Sequence, residues 1–72
     1  MKDNVLKIIS TVSKISVDDL KQNLDTPNLW NSFIMLEIVI ALEDEFDISF
    51  SKDEIASMKT ASVICKLVTE KN

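Results

Sequence analysis

Apolar residues recur along this chain at helical spacing, and nowhere does the period of two that marks a strand persist. Val5, Ile8, Ile9 and Val12 fall at helical intervals behind an acidic first turn at Asp3, which predicts a first helix from about Lys2 to Ser13. A long connection follows, from Lys14 to Trp30. Within it Ser16-Val17-Asp18-Asp19 has the form of a capped helical turn, with Leu20 placed to pack inward. Pro27 bars helix and biases Thr26 to an extended conformation. The densest apolar run then begins at Trp30 and continues to Phe46, a central helix expected to end near Asp47 or Ile48. Ser51-Lys52-Asp53-Glu54 is a capping-box pattern, so a short helix is expected from Lys52 to about Ser57, held down by Ile55 and Met58. Thr60 caps a last helix over Ala61 to Thr69, with Ile64, Leu67 and Val68 inward. The expected fold is all-α: one domain over residues 1–72, an up-down bundle of three main helices plus one short helix.

The central helix is apolar on two sides. With Phe33 at zero and about 100° per residue, Met35, Ile38, Val39, Leu42 and Phe46 form one stripe. Phe33, Leu36 and Ile40 fall opposite, interleaved with Glu37, Glu43 and Asp44. Two readings follow. Either the helix is buried on both sides by its neighbours, or the second strip is exposed and, rimmed by acids, forms a docking face for a basic partner.

Charge sharpens the second reading. The chain has 72 residues, 8 lysines and no arginine, 12 acids and a net charge of −4. No lysine lies between Lys21 and Lys52, where all the acids of the central helix fall, so the negative field is concentrated there. Without a basic patch or an arginine fork for phosphate, nucleic acid is excluded as the expected partner, and a basic protein surface is favoured. The polypeptide also lacks the means for most chemistry of its own. It has no histidine, which removes Ser-His and Cys-His nucleophile pairs, and no glycine, which removes Gly-rich phosphate loops. The acids at Glu43, Asp44 and Glu45 are consecutive on a helix and point apart, so no metal site is expected. Cys65, the single cysteine, reads as a packing residue and cannot form an intrachain disulfide. No run approaches the roughly 20 apolar residues of a membrane span, and no signal peptide is visible, so a cytoplasmic monomer that does not insert into membranes is expected.

The start of the central helix carries the one candidate for modification. Asn31 suits the N-cap, since its side-chain oxygen accepts from the amides of the first turn. Trp30 before it and Met35 within it then occupy the positions of a hydrophobic staple. Ser32 lies in the first turn, where the helix dipole favours a negative group such as a phosphate ester. Read without further context, Ser32 is a capping hydroxyl with no chemistry, and only a family resemblance reverses that reading.

Asn31-Ser32-Phe33, the run Ala41-Leu42-Glu43-Asp44-Glu45-Phe46 and the preceding Trp30 together resemble acyl carrier proteins and peptidyl carrier domains. That family opens the equivalent helix with Asp-Ser-Leu and continues into an acidic "ALEEEF"-like stretch. The later Phe50-Ser51-Lys52-Asp53-Glu54-Ile55-Ala56-Ser57-Met58 looks like that of stand-alone carriers bearing a Trp-Asp-Ser-Leu motif. The similarity runs over nearly the whole chain and is weak before Leu24. Two positions depart from the pattern: Asn31 stands for Asp and Phe33 for Leu. The resemblance implies a carrier that is not itself an enzyme. It implies 4′-phosphopantetheine attached to Ser32 by a phosphopantetheinyl transferase, beside the Asn31 cap. The arm would hold an acyl or aminoacyl group as a thioester. Loading and processing enzymes would then dock on Phe33, Leu36, Glu37, Ile40, Glu43 and Asp44. The unusual Asn-Ser-Phe motif points towards a specialised biosynthetic pathway. The alternative is an unmodified, degenerate carrier-like adaptor, for which Asn31 is the positive support.

Overall fold

The computed structural model describes residues 2–71 as five helices: α1 (Lys2–Ser13), α2 (Val17–Gln22), α3 (Ser32–Phe46), α4 (Lys52–Ser57) and α5 (Ala61–Lys71), with no strand among these residues. The three long helices form the bundle, α1 packing against both α3 and α5. The radius of gyration is 10.7 Å, close to the ~11 Å that a chain of this length takes as one packed unit. The fold is therefore the all-α bundle that the periodicity predicts, with one addition. The capped turn in the long connection extends into the six-residue helix α2. Ser16 accepts from the Asp19 amide at its start, and Leu20, fully buried, anchors it against α1.

The core is a single apolar cluster with no buried polar or charged residue among those described. From α1 it takes Val5, Leu6 and Ile9, while Ile8 and Val12 are only half-buried. Leu6 joins the expected stripe because α1 is gripped from two directions, which widens its buried arc beyond one row of residues. α3 contributes Ile38, Val39 and Leu42; Met35 and Phe46, expected on the same stripe, close it half-buried at either end. Met58 seats the end of α4, and α5 supplies Ala61, Ile64, Cys65 and Val68, with Leu67 half-buried. Cys65 packs as a small apolar residue, and burial pushes its thiol pKa up, so the reactive thiolate is disfavoured.

Helix ends are defined without glycine. Asp47 follows α3 in the left-handed region at φ 54°, and the Ile48 amide reaches back to the Glu43 carbonyl at 3.2 Å. This is the reversal that glycine usually makes; Asp is among the residues that tolerate it. Lys14 does the same after α1 at φ 65°. The Glu43 carboxylate then accepts from the Phe50 amide at 2.9 Å, which fixes the turn between α3 and α4. α4 opens with the expected capping box: the Glu54 amide donates to the Ser51 hydroxyl and the Ser51 amide to the Glu54 carboxylate. α5 runs to Lys71, past the expected Thr69, because Lys71 is held by an ion pair with Glu54 at 3.0 Å and lies 5.7 Å from the Phe50 ring. The long connection is tied down by the Ser62 amide, which donates to the Leu24 carbonyl at 2.9 Å.

Two predictions follow from the packing. Leu42→Ala should cost about 2–5 kcal/mol, the range for emptying a buried leucine site, whereas Ile40→Ala on the exposed side should stay within about 0.5 kcal/mol. Chemical denaturation of both variants measures this directly, and equal losses would show that α3 is buried all round. The second concerns acid. The Ser51 amide first, and then Lys71, lower the Glu54 pKa from its ordinary value. A carboxylate with a depressed folded-state pKa contributes stability above its unfolded value and loses it as pH falls through the folded one. Glu54→Gln keeps the capping acceptor but removes the charge. Its melting temperature should therefore lie slightly below the parent's at pH 7, with the gap closing as pH falls through the carboxylate range.

Candidate functional site

The N-terminal end of α3 is built by a division of labour between adjacent residues. Asn31 has extended backbone angles, and its Oδ1 accepts from the Ile34 amide at 2.8 Å, while its carbonyl accepts the first helical bond from the Met35 amide. The expected N-cap is therefore formed. The staple forms as well, with an added polar contact: the Trp30 indole N–H donates to the Met35 sulfur at 3.1 Å. With Asn31 serving as cap, Ser32 becomes the first residue of α3. Its side chain is exposed, and its hydroxyl makes no hydrogen bond within the described residues.

Four other serines near helix ends are engaged differently, whereas Ser62, in the first turn of α5, likewise has a side chain without a hydrogen bond within the described residues and is half-buried. The Ser16 and Ser51 hydroxyls act as caps, accepting from the Asp19 and Glu54 amides. The Ser13 hydroxyl accepts from the Ile15 amide, and that of Ser57 donates to the Glu54 carbonyl. Ser32 thus combines an unengaged hydroxyl with a helix start, where the amides of the first turn and the dipole lower the energy of an attached anion. Beside it lies an open groove of about 170 Å³, which Trp30, Met35, Ala56 and Met58 line together with Asn28 and Lys59. Nothing in the sequence pattern connects Lys59 to Ser32. The turn between α4 and α5 brings it there, which places a cation beside the start of a helix whose own stretch of sequence has none.

The second strip of α3 is exposed. Phe33, Leu36 and Ile40 retain 70%, 54% and 65% of their accessible surface, and they are the only large hydrophobic residues so exposed among those described. Glu37 and Asp44 flank them and face solvent. Glu43, expected in the same rim, is half-buried and directs its carboxylate to the Phe50 amide, so it has a structural task as well as a charge. The sequence therefore places six of these residues on one face, and the structure divides them into an apolar strip, two free acids and one anchored acid. Among the described residues, no three His, Cys, Asp or Glu side chains converge to hold a metal ion, and no helix is long and apolar enough to cross a membrane.

No protein-family model matches the sequence, and no curated protein matches it.

The cap makes a direct prediction. Asn31→Ala should lower stability by about 1 kcal/mol, within the range of roughly 0.5–2 kcal/mol for losing an N-cap, whereas Asn31→Asp should leave it nearly unchanged because both residues cap well. Urea unfolding midpoints of the two variants against the parent provide the measurement.

Proposed function

We propose that this chain is an acyl or aminoacyl carrier, modified with 4′-phosphopantetheine on Ser32. The observation that supports this reading is the unengaged Ser32 hydroxyl at the start of α3, freed from capping by Asn31 and adjoining the exposed apolar strip. The residues present fit the group. A phosphodiester on Ser32 would meet the amides of the first helical turn and lie near Lys59, in a groove that Trp30, Met35 and Met58 also line. Once attached, the arm supplies a terminal thiol that carries cargo as a thioester, a chemistry the polypeptide does not provide. Cys65 is no substitute, because it is buried and its thiol pKa is raised.

The remaining residues of α3 are suited to docking. Glu37 and Asp44 present free negative charge beside Leu36 and Ile40, while Phe33 stands next to the modified serine. A carrier must release one enzyme before it reaches the next, which calls for fast association and modest affinity. Exposed charge around a small apolar patch gives that combination, since it raises on-rates more than it lengthens residence. The partners are a phosphopantetheinyl transferase and loading or processing enzymes with basic docking surfaces. A specialised biosynthetic pathway in the cytoplasm, with the carrier acting as a monomer, is the context that suits the Asn-Ser-Phe motif. The second reading, an unmodified helical adaptor, is favoured by Asn31 alone, because an uncharged residue adjoins the serine where an acid would steer a basic transferase.

Incubation with coenzyme A and a broad-specificity phosphopantetheinyl transferase decides between them. One phosphopantetheinyl group should be added by intact mass, and Ser32→Ala should abolish the addition while leaving the protein helical. Asn31→Asp should be modified faster at low salt, with the advantage shrinking as salt is raised, because charges at the surface are screened. Absence of modification in both the parent and Asn31→Asp would leave the adaptor.

A further inference from the structure

A second surface lies on the side of the bundle where α1 and α3 meet, separate from the serine. Asn4, Lys7, Ile8 and Thr11 of α1 fall at i, i+3, i+4 and i+7, so they form a single stripe along about two turns of the helix. This stripe faces away from Leu6 and Ile9, the residues that α1 commits to the core. On the facing helix, Ala41 and Glu45 sit one turn apart, and Phe46 closes the end. Between the two ridges runs an open groove of about 590 Å³. Its floor is apolar, made of half-buried Ile8, Val12, Ala41 and Phe46, and its two rims are oppositely charged: Lys7 along α1, Asp44 and Glu45 along α3.

A trough along packed helices is where a ridge of a further helix seats in ridges-into-grooves packing. Since α5 lies on α1 elsewhere in the core, the bundle has three long helices and leaves this seat uncovered. We infer that the groove between α1 and α3 docks an amphipathic helix of a partner protein. That helix sets apolar residues at i, i+3 or i+4 and i+7 over Ile8 and Phe46, a basic edge against Asp44 and Glu45, and an acidic edge against Lys7. The opposed rims fix the direction of the incoming helix as well as its face, because rotating it end for end would place like charges together. The nearest groove residue on α3, Ala41, is nine residues from Ser32, roughly 14 Å along the helix at 1.5 Å per residue. A helix seated there leaves the serine accessible. The inference does not depend on the proposed carrier function.

The test uses 15N-labelled full chain carrying Ser32→Ala, so that modification plays no part. The probe is a synthetic helical peptide of roughly four turns with leucines at the stated spacing, lysines along one edge and glutamates along the other. Amide shifts should concentrate at Asn4, Lys7, Ile8 and Thr11 and from Ala41 to Phe46, with Phe33 and Leu36 little moved. The exchange Lys7→Glu with Glu45→Lys, at two exposed positions, should weaken this peptide by about threefold to tenfold and strengthen its charge-mirrored counterpart by a similar factor. Glu45→Gln alone should weaken it less. Shifts centred on Leu36 and Ile40, no shifts at the highest soluble peptide concentration, or affinity indifferent to the charge exchange would each overturn the proposal.

Discussion

The complete burial of Ile38 and Leu42 fixes how α3 is rotated about its own axis, and most of the surface follows from that rotation. These two residues are one helical turn apart and point the same way, so together they define an inward direction. Every other side chain of α3 then has its bearing set by the regular turn of the helix. Phe33, Leu36 and Ile40 must look outward, Val39 inward, and Ala41 and Glu45 sideways towards α1. Turning α3 to hide the exposed strip would bring Ile38 and Leu42 into water and set Glu37 and Asp44 against the core. Burying unpaired carboxylates costs far more than three hydrophobic residues recover, so the exposed strip is the lower-energy arrangement.

Much of this was legible in the sequence because it rests on local rules. The N-cap at Asn31 and the capping box at Ser51–Glu54 depend on residues three apart, and both form as their spacing predicts. The three long helices and their inward stripes follow from periodicity. Whether the second strip of α3 is covered was not legible, because it depends on where α1 and α5 lie, and periodicity on one helix does not place its neighbours. For the same reason the sequence does not bring Lys59 to the groove beside Ser32, or Lys7 opposite Glu45. It grouped Glu43 with the free acids, since a helical wheel is blind to the loop that returns the Phe50 amide to it. The extension of α5 to Lys71 has a similar cause: its last turn is held by Glu54 from another helix.

The start of α3 shows how one hydroxyl is left uncommitted. A serine at an N-cap accepts a first-turn amide, which competes with any other use of its oxygen. Shifting the serine one position into the helix and giving the cap to Asn31 separates the two tasks. The helix keeps its cap and Trp30 keeps its staple to Met35, while the Ser32 oxygen remains in solvent. An acid at position 31 would cap equally well and add charge, so the asparagine changes the field around the serine without changing how the helix begins. The charged side chain that shares the groove with Ser32 is Lys59, while the exposed acids of α3, Glu37 and Asp44, lie one and three turns further along.

The same economy explains why a domain this small leaves three large apolar side chains in water. A short chain buries a smaller fraction of its surface than a long one, and its net stability is only a few kcal/mol, so each residue withheld from the core is significant. Selection for stability alone would place polar residues at Phe33, Leu36 and Ile40. Leu36 and Ile40 are one turn apart, and Phe33 lies one turn before Leu36, so the three make a continuous row that begins beside Ser32. A continuous row beside an unengaged hydroxyl, bordered by exposed acids, is the kind of face that the proposed carrier would use for docking. The row is short, and an interface limited to it would fall well below the area of a permanent complex. Under the proposed carrier function, brief and repeated contact is the mode of association that so small a row would support, and the same limit would hold for an adaptor built on this helix.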